Sequence, residues 1–114
     1  MKLPADTTIA HDKLTRYLLV SQARGDKSAF LARAGYGLHN PDRLMADLRT
    51  QILPLDAISL DRNLFGQYYE IRGTLIGPNG TALSIRSIWI REHLSGITKF
   101  VTLIPTKDVD RDEV

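Results

Sequence analysis

The stretch Tyr68-Tyr69-Glu70-Ile71-Arg72-Gly73-Thr74-Leu75-Ile76-Gly77-Pro78-Asn79-Gly80-Thr81-Ala82-Leu83-Ser84-Ile85-Arg86-Ser87-Ile88-Trp89-Ile90-Arg91 reads as two strands joined by a tight turn. Pro favours the second position of a type I turn, Asn tolerates the third, and Gly takes the left-handed position that follows, which together describe a three-residue hairpin loop with a bulge. With Gly77 facing Thr81, Leu75 lies opposite Leu83, Gly73 opposite Ile85, Ile71 opposite Ser87 and Tyr69 opposite Trp89, all on one apolar face. The other face carries Glu70, Arg72 and Thr74 against Ile88, Arg86 and Ser84. A two-residue loop shifts the pairing by one and mixes charge with core on both faces, so that register is rejected.

In the accepted register Arg72 stands directly across from Arg86. Like charges opposed on a sheet repel unless something relieves them. A bound anion such as phosphate would do so, and so would pairing with Glu70 or leaning out into water.

The remaining chain is read outward from this ribbon. Residues 1–8 read as an extended arm with Pro4. A first helix is expected near His11 or Asp12, with Leu14, Tyr17, Leu18 and Leu19 as its apolar stripe. Asp26 is expected to cap a second helix running to Arg33, buried through Phe30, Leu31 and Ala34 and stopped by Gly35. Asn40 as N-cap and Pro41 as first helical residue start a third, with Leu44, Met45, Leu48 and Ile52 inward and Pro54 at its end. Leu55 to Arg62 reads as a short edge strand, residues 92–97 as a turn, and Lys99 to Ile104 as a last strand ended by Pro105. In that last strand Phe100 and Val101 compete for the core, which leaves its register open. The order predicts an α+β fold, with about three N-terminal helices packed on one face of a three- to four-stranded antiparallel sheet. Residues 1–107 form a single domain in this reading, and 108–114 an acidic flexible tail.

The 114 residues suffice for one core without staples. Apolar and charged shares of 43% and 25% are those of an ordinary globule. The absence of cysteine excludes disulfides and thiolate metal sites. No apolar run is long enough for a membrane span, and the N-terminus lacks the apolar core of a signal peptide, so a cytoplasmic, bacterial setting without membrane partners is expected. Net charge is +2, but Asp108, Asp110, Asp112 and Glu113 are concentrated in the tail, and the body alone stands at about +5. A mildly basic body suits a phosphate-bearing partner.

Chemistry is sought among few candidates. His11, His39 and His93 share no metal-ligand spacing, so no metal or cofactor is expected, and no serine sits in a nucleophile elbow. Cleavage of RNA beside its own 2′-hydroxyl needs only a base, cations around the phosphate and an acid at the leaving oxygen. Glu70, Arg72 and Arg86 on one surface supply a base and clamps, and Thr102 joins them if the last strand pairs in an even register. Lys27 and Arg24, in Arg24-Gly25-Asp26-Lys27 at a helix start, form an anion grip or a solvated turn. Lys13 and Arg16 read most simply as a wet helix face, with Lys13 a candidate substrate contact. Tyr69 and Trp89 read as core.

Leu3-Pro4, Asp12-Lys13-Leu14, Tyr17-Leu18-Leu19, Arg24-Gly25-Asp26-Lys27, Phe30, Gly35-Tyr36-Gly37, Leu44, Gly66, Tyr68, Leu75, Gly77-Pro78-Asn79-Gly80, Arg86, Trp89 and Val101-Thr102 together resemble a family of short bacterial domains of unassigned function. Such segments also end phage head-morphogenesis proteins and polymorphic toxins, and cyanobacterial versions stand beside small partner genes. In outline the family is similar to the ribonuclease superfold of barnase, EndoU, the tRNase colicins and RelE, which implies an open, catalytic sheet face. The family often has His-Pro before its Arg-Gly-x-Lys element, where this chain has Gln22-Ala23, so Lys27, Arg72 and Arg86 would have to act without a histidine. The resulting expectation is a metal-independent endoribonuclease-like toxin domain acting on tRNA or mRNA. Its catalytic residues would be Lys27, Glu70, Arg86 and Thr102, with Lys13, Arg24 and Arg72 holding substrate. The alternative is a non-catalytic binding module, either the neutralising partner of a toxin-antitoxin pair or an assembly domain with a small cognate partner protein.

Overall fold

Everything in the computed structural model is arranged around the central hairpin of residues 66–92; residues 1–23 and 26–106 are described. The helical segments come first in the chain and four antiparallel strands follow, in the order β1 (Ile58–Arg62), β2 (Gly66–Ile76), β3 (Ala82–Glu92) and β4 (Thr98–Pro105). The fold is therefore α+β. Arg24 and the acidic tail lie outside the described residues.

The hairpin register is the expected one, with Leu75 opposite Leu83, Ile71 opposite Ser87, Tyr69 opposite Trp89 and Arg72 opposite Arg86. The loop closes as its residues dictate. Gly80 N–H donates to the Gly77 carbonyl at 2.9 Å, and Gly80 takes φ 86°, a left-handed value that glycine adopts without steric cost. The tip is also docked. Asn79 donates from its backbone N–H to the Ala34 carbonyl at 3.2 Å and from its side chain to the Arg33 carbonyl at 3.1 Å. Gly77 lies so close to Ala34, just past the second helix, that a Cβ there would overlap the Ala34 carbonyl oxygen.

Helix α1 (His11–Lys13) runs on into a π turn, Leu14–Leu18, closed by the Leu19 N–H bonding to the Leu14 carbonyl at 2.9 Å. That wider turn buries Leu14 and Leu18 and leaves Tyr17 37% exposed. Tyr17 is thus not part of the apolar stripe, because one extra residue per turn rotates it off the buried side. Helix α2 (Ser28–Ala32) is shorter than expected, and Asp26 accepts from the Ser28 N–H at 2.9 Å and the Ser28 hydroxyl at 2.6 Å from just ahead of it. Helix α3 (Pro41–Asp47) continues into a second π turn, Leu48–Ile52. Asn40 precedes Pro41 as expected but does not cap with its side chain. Instead it accepts from Gly37 N–H and donates to the Gly35 carbonyl, bracing the preceding loop.

Buried Leu14, Leu18, Leu31, Leu44, Leu48 and Ile52 from the helices form one core with Ile71, Leu75, Leu83, Ile85, Trp89 and Leu103 from the sheet. Each such side chain removed from water contributes about 1.5–3 kcal/mol. Ser87, in this apolar company, is satisfied at both ends. Its hydroxyl donates to the Ile71 carbonyl and accepts from Trp89 Nε1, both at 2.8 Å. Tyr36, also buried, donates to Asp47 at 2.6 Å, and the same carboxylate oxygen accepts from Arg43 Nε at 2.9 Å. Burial first, then the Asp47 bond, holds the Tyr36 phenol far above its usual value.

Packing settles three further segments. The arm is docked: Leu3, Thr7 and Ile9 are buried, and Thr8 pairs in parallel with Lys99 along part of the β4 edge. Ile58 is 60% exposed, because β1 is an edge strand and Ile58 sits opposite Glu70 on the face that the helices leave open. The competition between Phe100 and Val101 is resolved by a bulge: the register with β3 shifts between Ile88 and Trp89, so that Phe100 and Leu103 both point inward while Thr102 stays across from Ile88.

Gly77→Ala is expected to lower unfolding stability by about 1–3 kcal/mol through overpacking against Ala34. Gly80→Ala, which meets no neighbouring atom, should cost only the left-handed penalty of about 1–2 kcal/mol. Urea denaturation of both variants checks the order of the two effects.

Candidate functional site

Two clusters of polar side chains share the open face of the sheet. The first follows from period-two alternation, which places Glu70 and Arg72 side by side on β2 and Arg86 across from them on β3. Both arginines donate through Nε to a single oxygen, Glu70 Oε2, at 2.7 Å each. Glu70 is therefore the relief for the opposed guanidiniums. Its side chain is only 8% exposed, against 60% for Arg72 and 32% for Arg86. Burial by itself would raise the Glu70 pKa, but the hydrogen bonds from Arg86 and then Arg72 outweigh it and hold the carboxyl below the usual glutamate range. The terminal nitrogens of both guanidiniums take no part in these two bonds. The unit keeps one net positive charge, with its forks held in place.

The second cluster gathers at the β4 side of the same face. Asp26 is occupied by Ser28, whose side-chain and then backbone bonds hold its carboxyl below the ordinary range, so the adjacent Lys27 is left to reach elsewhere. Lys27 Nζ lies 3.3 Å from the Tyr17 hydroxyl and 3.5 Å from Thr102 Oγ1. The same ammonium stands 5.4 Å from the centroid of the Tyr17 ring, and Lys13 Nζ stands 6.0 Å from it. The Lys27 bond, with Thr102 adding to it, lowers the Tyr17 phenol below its ordinary pKa despite partial desolvation. An open groove of about 520 Å³ runs past these residues between α1 and β4, with Asp12, Lys13, Tyr17, Val101 and Thr102 in its walls.

The two clusters are linked by strand register. Glu70 pairs with Ile88, and Ile88 pairs with Thr102, so the rows lie two strand spacings, or roughly 10 Å, apart with Ile88 between them. Lys27, Glu70, Arg72, Arg86 and Thr102 thus share one surface, and Lys13 stands at its margin beside Tyr17. Arg24 falls outside the described residues. Among those residues there is no group of three His, Cys, Asp or Glu side chains able to hold a metal ion. What sequence reasoning missed is Tyr17. Its helical spacing matched the core stripe, and only the π turn takes it out.

A family model described as "Domain of unknown function (DUF6883)" matches residues 3–107, so the chain belongs to that family. No curated protein and no solved structure matches the chain. No helix among the described residues is long and apolar enough to cross a membrane.

Two titrations follow from these contacts. With its folded pKa below the ordinary 4.5, Glu70 binds fewer protons folded than unfolded between the two values. Its stabilising contribution is therefore whole above about 4.5 and is lost as pH falls through the folded value. Urea midpoints measured against pH should show this acid limb in the native chain and a flattened one in Arg86→Ala. Phenolate absorbance should place one tyrosine of the native chain below its ordinary pKa, and Lys27→Ala should move that tyrosine up.

Proposed function

For a member of this family of unassigned function, we propose that the open sheet face binds the phosphate backbone of RNA and cleaves it without a metal. The observation that carries the reading is the placement of Lys27, from a loop far away in the chain, on the Thr102 hydroxyl and the Tyr17 phenol. That contact adds an ammonium to the face already holding Arg72 and Arg86. Opposed cations steadied by a buried carboxylate make a surface whose strongest unmet demand is for anionic oxygens.

In the proposed reaction the 2′-oxygen bonds to phosphorus as the bond from phosphorus to the 5′-oxygen breaks. Glu70, kept ionised by its arginines, takes the 2′-hydroxyl proton, and the Tyr17 phenol gives a proton to the departing 5′-oxygen. Lys27 and Arg86 stabilise the charge gathering on the phosphoryl oxygens, Thr102 positions the phosphate, and Arg72 and Lys13 hold the flanking chain. The products are a 2′,3′-cyclic phosphate and a free 5′-hydroxyl. The resemblance to compact ribonucleases drawn from the sequence belongs to the same proposal, and toxin action would follow from cleavage of tRNA or mRNA.

A second reading, a non-catalytic binding module, draws on a different observation. Edge strand β1 leaves Ile58 uncovered on the open face, a feature suited to strand addition by a partner protein.

Purified protein in chelator should convert tRNA or mRNA to fragments ending in cyclic phosphate. Lys27→Ala and Arg86→Ala should each lower the rate by about 10²–10³-fold, with circular dichroism unchanged. Intact RNA, together with RNA binding that neither substitution alters, would falsify the cleavage reading. A domain harmless when expressed alone, with partner capture abolished by Ile58→Lys, would favour the module.

A further inference from the structure

The opposite face of the sheet has its own polar end. Near the β1–β2 and β3–β4 turns, ladder pairing places Arg62 across from Gln67, Gln67 across from Arg91, and Arg91 across from Thr98. Arg62 and Arg91 are both exposed. They flank Gln67 two strand spacings apart, roughly 10 Å along the ladder, on the side where Tyr69 and Trp89 face the core.

Two adjoining hollows open there. One, of about 280 Å³, has Arg62, Gln67, Arg91 and His93 in its walls. The other, of about 320 Å³, is bounded by Leu3, Pro4 and Thr98. Tyr69, Arg91 and Gly96 belong to both, so the two form one cleft.

The charges in this cleft are unbalanced. Glu92, the carboxylate in its wall, is already taken by Ser95 at 2.8 Å and Lys99 at 2.9 Å. Neither Arg62 nor Arg91 has an ion pair or side-chain hydrogen bond among the described residues. The Gln67 amide donates to the Leu60 and Tyr68 carbonyls, which orients the side chain. His93 Nε2 is held against the Asn63 carbonyl at 3.0 Å, and because a carbonyl only accepts, that nitrogen carries the proton. The Tyr69 phenol likewise has no bonding partner among the described residues, and no buried side-chain nitrogen or oxygen among them is left unsatisfied, so its hydroxyl reaches solvent where the hollows join.

We propose that this cleft binds a small phosphomonoester of nucleoside-monophosphate size, with the phosphate between Arg62 and Arg91 and the planar body beside the Tyr69 ring edge and hydroxyl, toward Leu3 and Pro4. Two unpaired guanidiniums match a group carrying close to two negative charges, which a phosphomonoester has and a backbone phosphodiester lacks. The second hollow supplies the apolar wall that a base or other flat ring needs, and Tyr69 offers both a ring edge and a hydroxyl. The site lies across the sheet from Lys27, Glu70 and Arg86, so it is independent of RNA cleavage on the other face.

The test is an NMR titration of the full chain with AMP, adenosine and inorganic phosphate in separate series. AMP is expected to shift the amides of Gln67, Arg91 and Gly96 saturably. Adenosine and inorganic phosphate should each bind at least about tenfold more weakly, and Arg62→Ala and Arg91→Ala should each weaken AMP by about tenfold. Both arginines are exposed, so the variants should keep the native spectrum elsewhere. Lys27→Ala should leave the AMP titration unchanged. No saturable shift with AMP, adenosine binding as tightly as AMP, or shifts confined to the Lys27 and Arg86 face would each overturn the proposal. Phosphate binding as tightly as AMP would remove the nucleoside part of it.

Discussion

A single parity condition governs this molecule. The loop at Gly77–Gly80 decides which residues of β2 oppose which residues of β3, and side chains on a strand alternate between faces. One loop geometry therefore sends Tyr69, Ile71, Leu75, Leu83, Ile85 and Trp89 to the same side. Slipping by one residue would put either Glu70 and Arg72 or Arg86 into the layer that the helices cover, at a desolvation cost the core could not offset. The loop is anchored to the end of α2 through Ala34 and Arg33, so the register of the ribbon and the seating of the helices are set together. Gly77, where the Ala34 carbonyl would exclude any Cβ, is where these two requirements meet.

The same parity creates an electrostatic problem on the open face, and Glu70 answers it. A buried carboxylate is costly when alone, and two opposed guanidiniums are costly when unpaired, but both debts cancel when one oxygen accepts from both. Because each contact uses Nε, the arrangement neutralises part of the charge and still leaves two planar forks in fixed positions. The Lys27 cluster is built differently. Its ammonium meets a phenol and a hydroxyl rather than a carboxylate, so its charge is solvated but not cancelled. The open face thus pairs a rigid, partly neutralised element with an uncompensated one, a combination suited to gripping an extended anion.

Edges show a similar economy. The arm carrying Thr8 covers the start of β4, and Pro105, which has no backbone N–H to offer, stands at its end. The bulge at Val101 serves the core and the surface together. It lets Phe100 meet Trp89 edge-on, with ring centroids 5.1 Å apart, and it returns Thr102 to the open face in time to meet Lys27.

Much of this was legible in the residues themselves. The Gly-Pro-Asn-Gly turn, the alternation on either side of it and the Asn-Pro helix start are local signals, and local sterics alone determine what they do. Glu70, Arg72 and Arg86 could be placed on one face because a strand's period of two follows from covalent geometry. Tyr17, the docked arm, the β4 bulge and the Arg62–Arg91 cleft could not be read that way. A π turn, a bulge and a parallel bridge each depend on what packs against the segment from elsewhere in the chain. The contact of Lys27 with Thr102 joins residues with 75 positions between their numbers, and no spacing rule reaches that far. Short-range chemistry therefore decided the ribbon and its charges, whereas packing between distant segments decided which of those charges have company.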